Sequence, residues 1–246
     1  MINPQFLYHY TTIENLALIL QSKRIKLSRL DKVNDPREGI ASDFGRLSKY
    51  IFVSCWSANP EESIAFWNIY TPKAEGIRLK FPFPVIKQTD ISTGQIIADN
   101  EINKGKFLLM PNLEPITMIE YTDDESTLYP QILGVNTINL GKVGKHKSKI
   151  WAFESEYRYI LVGLPLEKEI DGNNIDPSNY SNALHNAIDL PVESVFFPID
   201  DNALNNCTIT LGPRLNRSHK IIVEALVKTY NPSIKVVSSS LIGKYN

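Results

Sequence analysis

Two glutamates and an arginine alternate along the segment WAFESEYR and are the residues best suited to chemistry. Glu154, Glu156 and Arg158 stand two positions apart, and residues two apart point to the same face of a strand. One carboxylate could stabilise the positive charge that develops when an N-glycosidic bond breaks, while the other accepts a proton from the incoming group. The alternative is a solvated strand face on which Arg158 neutralises the glutamates. The spacing leaves both interpretations open.

Other segments carry side chains that could form the opposite wall of such a site. A neutral His9 can both donate to and accept from a ribose hydroxyl, and Tyr10 and Thr11 follow it directly. Ser54 and Ser57 flank Trp56 and could support a ring or an amide group of a ligand. Each also has a structural interpretation, as a half-buried strand histidine or as a packed strand and helix.

Charged segments elsewhere offer weaker candidates. Four lysines and His146 lie between Lys142 and Lys149, and such a cluster could hold a pyrophosphate or a nucleic-acid backbone. It could equally be an exposed loop. In the turn that starts at Asn34, Asp35 or Glu38 could contact a ligand, although turn geometry explains the same residues.

Several familiar sites have no counterpart in the sequence. There is no glycine-rich phosphate fingerprint and no nucleophile elbow. The four histidines are dispersed and have no metal-ligand spacing, so we expect no metal site. Cys55 has no visible partner base that would make it a nucleophile.

A strand followed by a helix must position His9. Residues 6–10 have the aromatic and apolar density of a strand. Thr11 and Glu14 have the spacing of a capping box, with Thr11 as the N-cap. Ile13, Leu16 and Leu20 then repeat at helical spacing.

The remaining elements follow from the same kinds of pattern. We expect strands over residues 25–28, 50–55, 76–81, 116–121, 156–162, 192–197, 208–211 and 234–237. We expect helices that begin near Pro60 and that cover residues 122–136 and 216–230, and a polar loop over 171–186. The alternation predicts a single α+β domain over residues 1–246. Its central, mostly antiparallel sheet is split around a cleft, with helices outside.

Composition narrows the class of protein. Of 246 residues, 43% are hydrophobic and 22% are charged, as in an ordinary globular domain. The net charge of −1 argues against whole-protein attraction to nucleic acid or to anionic membrane. Two cysteines are too few for a disulfide framework, and no secretory signal or membrane-spanning run is apparent. We therefore expect a cytoplasmic protein.

Four blocks of the sequence resemble the bacterial domain-of-unknown-function family numbered 2971. They are LYHYTTIENLALILQSKRIKLSRLDKVNDPREG, FVSCWSANPEESIAFWNIY, KSKIWAFESEYRYIL and ITLGPRLNRSHKIIVEALVKTY. The blocks span most of the chain in the order expected for that family. The family name carries no function.

A second resemblance is to ADP-ribosyltransferases. The His9 strand, with Tyr10 and Thr11, is similar to the element that contacts the adenosine ribose in one branch of those enzymes. Glu154-Ser155-Glu156 is similar to the Glu-X-Glu element of another branch. The resemblance implies NAD as substrate, Glu156 holding the nicotinamide ribose and Glu154 activating the acceptor.

The same resemblance assigns supporting roles. Ser54 to Ser57, or Tyr70, would stand in for the middle motif, and Arg158 would assist in binding the cofactor. Two alternatives remain open. One is a non-catalytic nucleotide-binding or regulatory module, for example in phage defence, and the other is a nucleic-acid-processing protein that uses Lys145 and Lys147.

Overall fold

The structure is a computed structural model, and it describes residues 3–93, 95–98, 106–110, 112, 114–135, 137–165, 182 and 184–244. The strands are β1 (Phe6–Thr11), β2 (Arg24–Arg29), β3 (Ile40–Ala41), β4 (Gly45–Arg46), β5 (Ile51–Ser57), β6 (Ile77–Pro82), β7 (Gln95–Ala98), β8 (Lys106–Leu109), β9 (Thr117–Met118), β10 (Glu120–Thr122), β11 (His146–Ser148), β12 (Glu156–Pro165), β13 (Ser194–Pro198), β14 (Thr208–Leu211) and β15 (Lys235–Ser238). The helices are α1 (Ile13–Ser22), α2 (Ile64–Tyr70), α3 (Gln88–Ile91), α4 (Glu125–Leu128), α5 (Asp201–Asn205) and α6 (Arg217–Tyr230). The predicted α+β class is confirmed.

One large mixed sheet organises the chain, with the strand order β15-β14-β6-β1-β5-β12-β8-β7. β2 joins it beside β5 and carries β13, and β9 pairs with β12. Its pairings are antiparallel except that of β14 with β15. The strands that carry His9, Ser54 and Glu156 are therefore neighbours, in the order β1-β5-β12.

The sheet opens between β1 and β5. These strands pair only at Tyr8 with Ser57, whereas β12 follows β5 over the whole run from Ser57 to Ile51. Nearer the start of β5, at Phe52 and Val53, the same edge of β5 pairs with β2 instead. A gap therefore lies beside the middle of β5; the sequence predicted a sheet split around a cleft but gave no position for the split.

The helix after β1 begins one residue later than the capping-box pattern predicted. Thr12, not Thr11, is the N-cap, and its hydroxyl accepts a hydrogen bond from the Asn15 backbone N–H at 3.3 Å. Thr11 is the last residue of β1, and its hydroxyl accepts from the Asn15 side chain at 3.0 Å. The pairing of β1 with β6 extends to Thr11 and keeps that residue in the strand.

α1 and α6 pack together on one face of the sheet. Buried residues of both helices, including Leu16 and Val223, join one hydrophobic core with Leu79 of β6 and Ile209 of β14. Because side chains alternate along a strand, the residues between these core positions face away from both helices.

Two segments differ from their predicted form. The predicted helix over residues 122–136 is wrong, because among the described residues 122–135 only Glu125–Leu128 is helical, and Pro130 follows closely. Most of the predicted loop at 171–186 lies outside the described residues. In the part of the chain that the structure describes, no helix combines the length and apolarity that a bilayer crossing needs.

Candidate functional site

A cleft of ≈370 Å³ lies where the sheet opens between β1 and β5. Its walls are largely aromatic, and two carboxylates lie among them. The lining residues are Tyr8, His9, Tyr10, Cys55, Trp56, Ser57, Phe66, Tyr70, Glu154 and Glu156. Of the eight predicted site residues, the fold brings five to this cleft: His9, Tyr10, Tyr70, Glu154 and Glu156.

The two glutamates do not share a strand face, which corrects the prediction for Glu154. Residues Lys149–Glu154 form a 3-10 helix, and Ser155 has a left-handed conformation with φ of 44°. The strand β12 begins only at Glu156. The glutamates nevertheless meet, because the turn at Ser155 brings the end of the 3-10 helix beside the start of β12.

Both carboxylates belong to a buried charge cluster formed by Glu38, Lys147, Glu154, Glu156 and Arg158. Lys147 donates to Glu154 Oε2 at 2.5 Å and to Glu156 Oε2 at 3.3 Å. Arg158 donates from Nε to Glu156 Oε1 at 2.6 Å. Its two Nη atoms each donate a hydrogen bond to the Glu38 carboxylate. All five residues are at most 6% exposed. The solvated strand face considered from the sequence is therefore wrong.

The cluster separates the proton affinities of the two glutamates. Burial favours the protonated form of Glu156, but the adjacent Arg158 guanidinium and Lys147 outweigh it and lower its pKa to about 2. Burial raises the pKa of Glu154, and its contact with Lys147 does not cancel that rise. Glu156 is thus an ionised carboxylate, and Glu154 is the one that binds a proton more readily than an ordinary glutamate.

Tyr70 completes the surroundings of Glu154. Its hydroxyl donates a hydrogen bond to Glu154 Oε1. Burial, together with the charge of Glu154, raises the pKa of Tyr70 and keeps the phenol protonated. Tyr70 ends α2, whose N-cap Ser63 receives the Phe66 N–H and donates its own N–H to the Tyr10 hydroxyl. The helix is therefore tied to β1 across the cleft.

His9 lies at the opening between the strands. Its Nδ1 is 3.0 Å from the Cys55 carbonyl oxygen, and its ring packs on Trp56 with a centroid separation of 5.1 Å. Burial lowers the pKa of His9, so the imidazole is neutral at neutral pH. The proton on Nδ1 satisfies a carbonyl that the strand pairing leaves open, and Nε2 is the nitrogen left for other partners.

Three predicted site residues do not line the cleft. Arg158 is fully buried, and its guanidinium is occupied by Glu38, Glu156 and the Gly144 carbonyl. Ser54 is buried and accepts a hydrogen bond from Trp56 Nε1 at 3.0 Å. Thr11 contacts Asn15, as described above. Their assignment as cofactor ligands is corrected to supporting roles.

The lysine segment is not an open basic groove. Lys147 is 4% exposed within the charge cluster. The others lie beside acceptors: Lys142 donates to the Gln131 carbonyl, Lys145 to Glu114, and Lys149 is 3.5 Å from Asp123. These pairings remove the observation on which the nucleic-acid interpretation depended.

Several residues of the site were missed or only partly anticipated from the sequence. Lys147 was assigned to an exposed cluster, and its spacing gave no other indication, because residues two apart share a strand face and Lys145 and Lys149 would point the same way. Glu38 was considered as a ligand contact, but it binds Arg158. Cys55 lines the cleft, yet burial raises the pKa of its thiol well above the ordinary value, which makes it a poor nucleophile. No signal pointed to Phe66.

Comparisons with protein-family models, with curated proteins and with solved structures found no match to this chain. The described residues also contain no group of three or more His, Cys, Asp or Glu side chains placed to hold a metal ion.

Proposed function

We propose that this cleft binds NAD and cleaves its nicotinamide–ribose bond, as an NAD glycohydrolase or an ADP-ribosyltransferase. The proposal rests mainly on Glu154 and Glu156, whose pKa values are shifted in opposite directions. Both line one aromatic cleft together with the neutral His9. The adjacency of β1, β5 and β12 supports the same proposal, because it is the arrangement that the resemblance to ADP-ribosyltransferases requires. Membership of the family numbered 2971 is compatible with it and remains a proposal.

Each residue then has a distinct role. Loss of nicotinamide leaves positive charge on the ribose, and the ionised Glu156 stabilises that charge. Water or an acceptor hydroxyl adds to the ribosyl carbon, and its proton passes to Glu154, whose raised pKa suits a general base. His9 holds a ribose hydroxyl through Nε2. The departing nicotinamide takes the electron pair of the broken bond.

The aromatic walls suit the planar part of the ligand. Phe66 lies with its ring centroid 5.3 Å from that of Tyr70 and 5.0 Å from that of Tyr10. Aromatic rings stack on planar heterocycles and exclude water from the reacting centre. We therefore place nicotinamide against the rings of Tyr10, Phe66 and Tyr70.

The test is the release of nicotinamide from NAD by the purified protein, followed by chromatography. Glu156→Gln should lower turnover at least about a hundredfold, because a charge that stabilises the transition state is lost. The matched control is Glu224→Gln, on the exposed face of α6, which should leave turnover unchanged. Thermal unfolding of both variants separates loss of chemistry from loss of fold.

A milder variant guards against unfolding. Tyr70→Phe leaves every ion pair of the charge cluster in place and removes only the hydroxyl next to Glu154. It should raise the pKa of Glu154 further and shift the pH dependence of turnover to higher pH. Wild-type protein that releases no nicotinamide, or full turnover in Glu156→Gln, would refute the proposed function.

One observation favours a second candidate. The carboxylates are already in contact with Lys147 and Arg158, so the charge cluster is complete without a ligand. A non-catalytic nucleotide-binding or regulatory module, for example in phage defence, needs only the cleft. Binding of NAD at this cleft without release of nicotinamide would select this candidate.

A further inference from the structure

A row of cationic side chains, without carboxylate partners among the described residues, lies on the sheet face opposite α1 and α6. Arg78 and Lys80 alternate with the core residues of β6, and Lys235 extends the row on β15. The register places Lys80 beside Thr208, which pairs in turn with Lys235. We call Arg78, Lys80 and Lys235 the basic strip.

The basic strip lacks carboxylate partners. Among the residues that the structure describes, none of its three cations is within 4.0 Å of a carboxylate oxygen. Arg78 is 8% exposed, and a buried charge is normally paired. Its Nη1 donates to the Pro60 carbonyl at 3.0 Å, but its buried Nε has no hydrogen-bond partner.

The nearby acids do not neutralise Arg78. Glu62 accepts hydrogen bonds from Trp67 Nε1 at 3.1 Å, from the Ser239 hydroxyl and from the Ser240 backbone N–H. Glu61 is exposed. Glu62 interacts with Arg78 through space without a hydrogen bond, so the guanidinium keeps an unused donor at Nε.

The basic strip adjoins the cleft. The Arg78 guanidinium carbon is 4.8 Å from the ring centroid of Tyr8 and 5.8 Å from that of Tyr10, and both tyrosines line the cleft. Lys80 lies over the ring of Phe6, with Nζ 3.9 Å from the centroid. A ligand that leaves the cleft along β1 therefore reaches Arg78 first and Lys80 next.

We propose that Arg78 and Lys80 form a subsite for the phosphate groups of a nucleotide whose other end occupies the cleft. A guanidinium offers the donors that phosphate oxygens require, and a second cation matches the charge of a pyrophosphate. That this pyrophosphate belongs to NAD rests on the proposed function. Binding of nucleotide phosphate does not depend on cleavage.

The experiment is calorimetric titration of the full chain with ADP-ribose, with inorganic pyrophosphate and with adenosine. Arg78→Met should weaken ADP-ribose binding about tenfold or more, and Lys80→Met about threefold, because charge-assisted hydrogen bonds are lost. Adenosine binding should not change. The matched control is Arg217→Met, which removes the same charge from exposed α6 on the other side of the sheet and should have no effect.

The outcomes separate the subsite from the proposed chemistry. Arg78-dependent ADP-ribose binding without nicotinamide release supports the subsite and refutes the proposed function. Equal ADP-ribose affinity in wild type and Lys80→Met, with folded Arg78→Met also unchanged, overturns the subsite whatever the turnover. Binding of free pyrophosphate but not of ADP-ribose overturns its assignment to a nucleotide. If Arg78→Met fails to fold, Arg78→Lys and Lys80→Met decide.

Discussion

The charge cluster and the basic strip differ in whether their buried cations are paired with carboxylates. In the cluster, Lys147 and Arg158 are held by three glutamates within salt-bridge distance. In the strip, Arg78 is almost as buried but contacts a carbonyl and aromatic rings instead. A fully paired charge holds the fold together and sets the pKa of its neighbours. A charge left without a counter-ion is the better indicator of a missing ligand.

The largest effect should come from breaking the charge cluster. Arg158→Met leaves Glu38 and Glu156 buried without their main counter-charge, and we expect a loss of about 3–5 kcal/mol in the free energy of unfolding. Urea denaturation measures it, with Arg217→Met as the exposed control, for which less than about 0.5 kcal/mol is expected. A loss below about 1 kcal/mol for Arg158→Met would show that the cluster contributes little.

Acid should weaken the cluster next. Glu156 has a pKa of about 2 in the folded protein against 4.5 as its ordinary value. A lowered folded pKa gives stability that is present above pH 4.5 and is lost as pH falls towards 2, at most about 3 kcal/mol by linkage. Glu154 acts in the opposite sense, because its raised pKa makes protonation at low pH favourable. Denaturation from pH 6 to pH 2.5 should show a smaller acid loss in Glu156→Gln than in wild type, and identical slopes would contradict the assignment.

The smallest effect is expected in the basic strip. Without a phosphate ligand, Arg78→Met should change the free energy of unfolding by no more than about 1 kcal/mol, because the lost carbonyl and ring contacts are offset by removal of an unneutralised charge. Added pyrophosphate should stabilise wild type and not this variant. A loss near that of Arg158→Met would erase the contrast between the two regions.

Local patterns were sufficient to predict most of the elements around the site. The alternation in β6 and the helical spacing in α1 and α6 reflect burial on one face, and β12, which is buried on both faces, was predicted from its apolar and aromatic composition. β14 was predicted over its full extent, 208–211. The N-cap was displaced from Thr11 to Thr12 because strand pairing with β6, a long-range effect, extended β1.

The site itself depended on contacts that sequence spacing cannot give. Glu154 and Glu156 were predicted together, but for the wrong reason, since the left-handed turn at Ser155 leaves no distinctive trace in a non-glycine residue. Glu38 reaches Arg158 across 120 positions of the chain. The sequence gives Arg78 no distinction from any polar residue of an alternating strand, and only the lack of a carboxylate partner among the described residues sets it apart.

The opening between β1 and β5 also has a mechanical consequence. At this border, one strand pair and the hydrogen bond from His9 to the Cys55 carbonyl join the two strands, whereas seven paired positions join β5 to β12. At about 1 kcal/mol per hydrogen bond, separating β1 from β5 costs far less free energy than separating β5 from β12. The border between β1 and β5 is thus the weaker one in the sheet, and the His9 imidazole supplies one of the few contacts that hold it together.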